Sequence, residues 1–339
     1  MQYKFIIGID VSKSTLDFAL INSTDQGIIR HHQVGNDDNG IEAMVNWLEQ
    51  ADFSMDSALF CLEHTGIYNY PLLQFFMRHG ANVWVENPIQ IKKSLGLQRG
   101  KSDKVDSIRI ANYAFRFADR VKLWQPARIV VDKLKHLSAL RERLVETKKR
   151  LQSPVEELIQ VGNDAIARIL ARSMRKTMTG LDKDLKSIEK QMKEVIDGDD
   201  DLKKLYGLVT SVVGIGFVTA VNLIVYTNEF RRFANYRQFA CYSGVAPFEH
   251  KSGSSIRGKT RVSPMANKKV KTYLHMASLT GVKLDEGLKA YYERKVAQGK
   301  SKMSVLNAVR NKLLSRVFAV VKRGEPYMKT NYQNALILS

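Results

Sequence analysis

The sequence predicts a three-part chain: an α/β domain at residues 1–125, a helical coiled-coil region at 126–204, and a basic, mostly α-helical domain at 205–339. Three observations carry that reading. Strand-like apolar runs alternate with helical patterns only in the first third. Leucines recur at heptad spacing in the middle. Positive charge accumulates at the end: residues 251–339 hold 19 Lys or Arg against 4 Asp or Glu, in a chain whose net charge is +19.

The α/β domain is read from extended candidates at 4–10, 15–21, 27–34, 57–62 and 82–86, with helical patterns at about 39–50, 70–79 and 103–119. Two hairpin-linked strands followed by strand–helix alternation suit a mixed sheet covered by helices. In the middle region Leu137, Leu144, Leu151 and Leu158 repeat every seven residues, and Leu181, Leu185, Ile188, Met192 and Val195 repeat by fours and threes. This is the pattern of two long helices in an antiparallel hairpin or an oligomeric coiled coil. Pro154 and "VGNDA" (161–165) are expected to interrupt it, and "DGDDD" (197–201) to close it as a solvated linker. Beyond residue 205, "VVGIGFVTAVNLI" reads as a glycine turn entering a helix and 235–247 as a helix ending in a turn. Residues 248–270 read as a basic loop, and 271–283, 285–297 and 303–322 as helices.

Hydrophobic content of 44% and charged content of 26% describe a globular chain. No apolar run reaches transmembrane length, and the start lacks a signal-peptide cleavage pattern. Cys61 and Cys241 have no near partner, which points to a reducing, cytoplasmic setting and away from a cysteine-rich zinc site. The basic C-terminal quarter favours a polyanion, nucleic acid first and an anionic membrane surface second.

Candidate chemistry falls in three places. In "FIIGIDVSKSTLDFALI" (5–21) an apolar strand ends on Asp10, which is costly unless the carboxylate is paired or meets a cation. The stretch fits an acidic metal site on a ribonuclease-H-like hairpin, the phosphate loop of an actin-like sugar kinase, or a capping aspartate. Glu63 ends the apolar run 57–62, and Asp103 and Asp106 stand three apart at a helix start, so they share a face. Such carboxylates can hold two magnesium ions for in-line attack on a phosphodiester. Asp103 would serve equally as an N-cap. The turn Gly214–Ile215–Gly216 could offer backbone N–H groups to a phosphate or simply be a packing turn. "HKSGSSIRGK" (250–259) offers serines among Lys251, Arg257 and Lys259, with Arg261, Lys268 and Lys269 beyond. It reads as a basic phosphate-gripping loop or as a nucleophilic serine beside charge-neutralising cations.

In order along the chain, "GIDVSK", "LEHTGIY", "SDKVDS", "VVGIGFVTA" and "YSGVAPFEHKSGSS" resemble the DEDD transposases of the insertion-sequence-110 family, DNA recombinases of mobile elements. The resemblance spans nearly the whole chain. It implies a RuvC-like nuclease domain joined through a coiled coil to a C-terminal transposase domain, and it maps the family's acidic tetrad onto Asp10, Glu63, Asp103 and Asp106. The family's serine maps onto Ser252. This chain has "GVAP" and "SGSS" where the commoner pattern has "GL-P" and "SGG", so Ser254 and Ser255 stand as neighbouring alternatives. The resemblance also implies donor and target DNA as partners, a structured guide RNA from the same element, and a homo-oligomer (dimer or tetramer) whose active site is shared between subunits. Its place would be the cytoplasm, on the nucleoid. Two other functions fit the residues: a metal-dependent, junction-resolvase-like nuclease whose serine loop only binds DNA, and a nucleic-acid-binding protein with an inactive nuclease fold. Retention of all four acids counts against the last.

Overall fold

A computed structural model describes residues 3–24, 29–50, 53–64, 66–94, 96, 102–252, 256–263 and 265–328. They fall into two compact units, Met1–Pro126 and Ala127–Ser339.

The first unit is built on β1 (Phe5–Val11), β2 (Thr15–Asn22), β3 (Ile29–Gly35), α1 (Asp38–Glu49), β4 (Ala58–Glu63), α2 (Tyr70–Arg78), β5 (Asn82–Glu86), α3 (Pro88–Ser94) and α4 (Asp103–Arg116). The five strands form one sheet in the order β3-β2-β1-β4-β5. β2 pairs antiparallel with both β1 and β3, while β1–β4 and β4–β5 are parallel. An antiparallel meander continued by parallel crossover strands is the ribonuclease-H-like arrangement expected from the opening hairpin. All five predicted strands and the three predicted helices are present. The short α3 is an addition that its "NPIQIKKS" sequence did not announce.

Strand alternation sorts the sheet's side chains onto two faces. Phe5, Ile7, Ile9, Leu16, Phe18, Phe60 and Leu62 pack under Ile41, Met44 and Leu48 of α1 and Leu72 and Phe76 of α2. Ile6, Ala19, Leu59, Cys61 and Trp84 face Ile110, Ala111 and Ala114 of α4. Gly8 fixes how closely α4 crosses the sheet: a Cβ there would lie 2.1 Å from the Ala111 nitrogen and 2.5 Å from the Ser107 carbonyl oxygen.

The second unit comprises α5 (Ile129–Gln160), α6 (Asp164–Asp197), α7 (Asp200–Thr210), α8 (Phe217–Thr227), α9 (Tyr236–Tyr242), β6 (Pro247–Ser252), β7 (Ile256–Val262), α10 (Lys268–Leu284), α11 (Glu286–Ala297) and α12 (Lys302–Arg323). α5 and α6 form an antiparallel hairpin, laced by Arg141–Glu189 at 2.7 Å and by the Lys148–Asp182 pair. Leu134 is buried, and Leu137 and Leu144 pack against a core shared with Ile188, Met192 and Ile196 of α6 and with α8, α10 and α12. Heptad leucines therefore serve intramolecular packing at that end of the hairpin.

Three expectations are corrected. Pro154 lies inside α5 without ending it; it is exposed, so the carbonyl it deprives of a partner can turn to water. "DGDDD" holds a two-residue junction, Gly198 and Asp199, between α6 and α7 rather than a linker, and Asp199 caps α7 by accepting from the Leu202 N–H at 2.8 Å. The basic loop at 248–270 is mostly the two-stranded hairpin β6–β7 followed by the start of α10.

At the mouth of α5, Arg128 donates to Asp199 at 2.9 and 3.0 Å and to Glu229 at 2.6 Å. Glu229 is reached through Asn228, Glu229 and Phe230 in succession at φ of 47°, 56° and 63°, a left-handed run unusual for non-glycine residues. A bidentate arginine on two carboxylates supplies what that strained turn needs.

Candidate active site

Strand parity sets the acids. Asp10 on β1, Asp17 on β2, Glu63 on β4 and Glu86 on β5 alternate with residues of the α1/α2 face, so all four belong to the face that α4 covers. Asp10 is the register partner of Asp17, Glu63 is the partner of Glu86, and Ile9 pairs with Leu62, the positions just before Asp10 and Glu63. The exits of β1, β4 and β5 thus each end on, or just after, a carboxylate.

α4 brings the remaining pair. Its N-cap is Ser102, whose hydroxyl accepts from the Val105 N–H at 3.3 Å. The cap position is therefore taken, and Asp103 and Asp106 occupy the first turn, where the helix dipole favours negative charge. They reach Asp10 electrostatically. Burial first, then the charges of Asp106, Asp103 and Asp17, push the Asp10 carboxyl up to about 6. A strand exit and a helix start distant in sequence thus converge.

Each surrounding acid is held. Asp17 is 3% exposed, bonded to His31 Nε2 at 2.9 Å and accepting from Gln33 Nε2 at 2.8 Å. Glu86 accepts from the Tyr113 hydroxyl at 3.1 Å. Arg109 pairs with Asp106 at 2.7 Å. Asn69 Nδ2 donates to the Glu63 carbonyl at 2.7 Å, which fixes the chain leaving β4. Among the described residues no group of three or more His, Cys, Asp or Glu stands close enough to hold a metal ion as the side chains lie.

Sequence reading missed Asp17 and Glu86. A signal existed for both. "NVWVE" ends on an acid as "ALFCLE" does, and Asp17 alternates with Leu16 and Phe18 on the opposite face of its strand.

In the second unit, Ser252 ends β6, paired in register with Ile256, while Lys251 pairs with Arg257 and Phe248 with Arg261. Lys259 lies on β7. Ser254 and Ser255 lie outside the described residues. Gly214, at φ 99°, is explained by packing, since a Cβ there would sit 2.7 Å from the Ala277 carbonyl oxygen of α10. Gly216 caps α8 and is unconstrained by neighbours. Lys268 and Lys269 open α10. Lys269 pairs with Glu142 of α5 at 2.6 Å, while Lys268 is exposed.

Comparison with known proteins matches two stretches of the chain, the first of which runs past the unit boundary through α5. Residues 7–161 match the DEDD transposase profile of the IS110 group, described as "Transposase". Residues 206–293 match "Transposase IS116/IS110/IS902 family". The pilin gene-inverting protein of Moraxella lacunata is 26% identical over 332 residues, covering 96% of this chain and 98% of that protein. The transposase for insertion sequence element IS1533 of Leptospira borgpetersenii is 21% identical over 260 residues, covering 70% and 73%. Among solved structures, T. thermophilus RuvC in complex with a Holliday junction substrate aligns with 36% of this chain and 100% of its own, at 13% identity and a TM-score of 0.28. With both profiles in chain order and relatives matched from end to end, the chain belongs to the IS110 family of transposases.

Proposed function

We propose that this transposase cuts and rejoins DNA strands for a mobile insertion element, using an acidic cation site in its first unit and Ser252 in its second. What supports the reading is the close crossing of α4 over β1 at Gly8, which brings the helix start carrying Asp103 and Asp106 toward the strand exit at Asp10, whose carboxyl is raised by burial first and then by their charges. The donor set fits a hard divalent cation: every candidate ligand is a carboxylate, the chemistry magnesium prefers. Asp10, Glu63, Asp103 and Asp106 would hold the metal, as one or two ions, with Asp17 and Glu86 as neighbouring charge. Bound there, the cation would polarise a phosphodiester and stabilise the charge of its displacement.

The serine hairpin supplies the covalent step. The Ser252 oxygen attacks phosphorus; the new O–P bond forms as the bond to one sugar oxygen breaks, and that oxygen leaves with a proton as a strand-end hydroxyl. His250, two residues earlier, is the candidate base for the serine's proton. Lys251 and Arg257 offset charge on the phosphate oxygens. Lys259, Arg261 and Lys268 extend the basic track for the strand. Donor and target DNA are the substrates, an element-encoded structured RNA is the guide, and assembly as a dimer or tetramer lets two duplexes exchange strands.

The test uses the full-length protein on a nicked suicide substrate carrying an element end, with the guide RNA, in magnesium buffer. Wild type should yield a protein–DNA adduct that survives denaturation, with the nucleotide on Ser252 by mass spectrometry. Ser252→Ala should bind the DNA and form neither adduct nor recombinant. Full recombination by Ser252→Ala, with no adduct at any serine of the hairpin, overturns the serine mechanism in favour of attack by water or a strand end.

A further inference from the structure

The charged groups at the root of the serine hairpin are arranged unlike surface lysines. Arg310 of α12 is 4% exposed. One of its terminal nitrogens donates to His275 Nδ1 at 2.8 Å and the other to Asn307 Oδ1 at 3.3 Å. Its Nε has no hydrogen-bond partner among the described residues. No carboxylate pairs with it among the described residues, although a buried charge is ordinarily paired. Lys271, one turn before His275 on α10, is half-buried and close enough that burial and the Arg310 charge push its ammonium toward the neutral form. Lys271 also has no ion pair among the described residues. Two cations share one partly buried spot with no anion.

The histidine completes the pattern. A guanidinium can only donate, so His275 accepts through Nδ1 and carries its proton on Nε2. Arg310 thereby fixes a neutral imidazole as a second hydrogen-bond donor beside Lys271. The cluster is tied to the hairpin by two contacts. Asn307 Nδ2 donates to the Val245 carbonyl at 2.7 Å, at the turn before β6. A Cβ on Gly244 would stand 3.7 Å from Lys271 Cδ.

We propose that Lys271, His275 and Arg310 form a binding site for one backbone phosphate of DNA, at the base of the hairpin that ends on Ser252. The assignment to DNA rests on the recombinase reading above. Lys271 and His275 contact the phosphate oxygens, and Arg310 positions His275 while supplying buried positive charge that the phosphate neutralises.

The experiment measures binding of full-length protein to a fluorescein-labelled duplex by anisotropy, in chelator, across a salt series. Lys271→Ala and Arg310→Met should each weaken binding about tenfold at physiological ionic strength. Lys271→Ala should also lower the salt slope by about 0.9, the share of one phosphate contact. His275→Phe should weaken binding without changing the slope, because it removes a neutral donor. Lys283→Ala, an exposed lysine further along α10, should stay within about twofold of wild type. Arg310→Met should melt no lower than wild type, since it removes a charge that the free protein leaves unpaired. The inference is overturned if all three site variants bind like Lys283→Ala with wild-type slopes. Arg310→Met melting lower with unchanged affinity overturns the role given to Arg310. A loss seen only on single-stranded RNA of the same length overturns the assignment to DNA. Because chelator removes any dependence on metal-assisted cleavage, failure of the serine mechanism leaves the result standing. Wild-type binding by these variants would count against this site alone.

Discussion

The acid face of the first unit and the hairpin root of the second are opposites built on one principle. In the first, Asp10 stands among Asp17, Asp103 and Asp106, and its carboxyl is pushed up to about 6. In the second, Arg310 and Lys271 stand together without an acid among the described residues, and both are pushed down, by burial first. Among the described residues, Asp10 in the first unit and Arg310 in the second make no ion pair, although Asp17 and Asp106 beside Asp10 are paired with His31 and Arg109. Arg128 shows what compensation looks like in the same protein: two carboxylates close on it, and Glu229 of the pair is only 5% exposed at its side chain. A cluster like that needs nothing from outside. The other two are the places proposed above to take up a cation and a phosphate.

The largest effect that can break this contrast is catalytic. Asp10→Ala, Glu63→Ala, Asp103→Ala and Asp106→Ala should each reduce strand cleavage by about 10³-fold or more, the scale of losing an electrostatic catalytic group. DNA binding should change little, and circular dichroism should match wild type. Equal cleavage by Asp10→Ala in magnesium would remove the acid face from the chemistry. Next comes the packing that creates the face. Gly8→Val places a side chain into the α4 backbone, so the first unit should lose about 3 kcal/mol or more. A urea melt of the variant matching wild type would mean that α4 does not sit where the acids require.

The two arginines sharpen the comparison further. Arg128→Met strands Glu229 and Asp199 and should cost about 2–3 kcal/mol, at the lower end for a broken buried network because Arg128 is 29% exposed at its side chain. Arg310→Met strands no carboxylate and should cost nothing. Chemical denaturation of both variants gives the difference. Equal losses would put Arg310 with Arg128 as a structural residue.

How far the sequence disclosed these features depended on how local their signals were. Asp10 and Glu63 were legible because an apolar run ending on an acid is visible within a few residues. Asp103 and Asp106 were legible because both fall in one helical turn. Asp17 was not, because its meaning depends on strand parity and on His31 and Gln33 from the next strand. The β6–β7 hairpin was hidden by its glycines and serines, which carry turn signals, while only Phe248, Ile256, Thr260 and Val262 favour a strand. The anion-lacking cluster was invisible, since Lys271, His275 and Arg310 come from two helices separated by α11. Leu137 and Leu144 were read correctly as a seam. Whether a seam closes within the chain or between chains is a matter of turn geometry, and the break at residues 161–163 closes this one within the chain.

The smallest effect bears on the acid face without any catalysis. The folded state holds the Asp10 proton more tightly than the unfolded chain does, with the carboxyl at about 6 against an ordinary 3.8. A raised carboxyl of this kind contributes stability that is fully present below the unfolded value and lost as pH rises through the folded one. At neutral pH, then, the ionised Asp10 works against folding. Two pH units correspond to about 3 kcal/mol at most, and solvent screening of a partly exposed group brings this to about 1–2 kcal/mol. Asp10→Asn should therefore be more stable than wild type by that amount near neutral pH in chelator. The advantage should shrink as pH falls and vanish by about pH 3, below the ordinary value of 3.8, where the wild-type carboxyl is protonated in both states. Comparing variant with wild type at each pH cancels the titration of the other acids to first order. Magnesium should act in the opposite sense, raising the melting temperature of wild type but not of Asp10→Asn, because a bound cation supplies the charge the fold omits. If Asp10→Asn melted below wild type in chelator at neutral pH, Asp10 would already be compensated within the unit, and the likeness between its surroundings and those of Arg310 would fail.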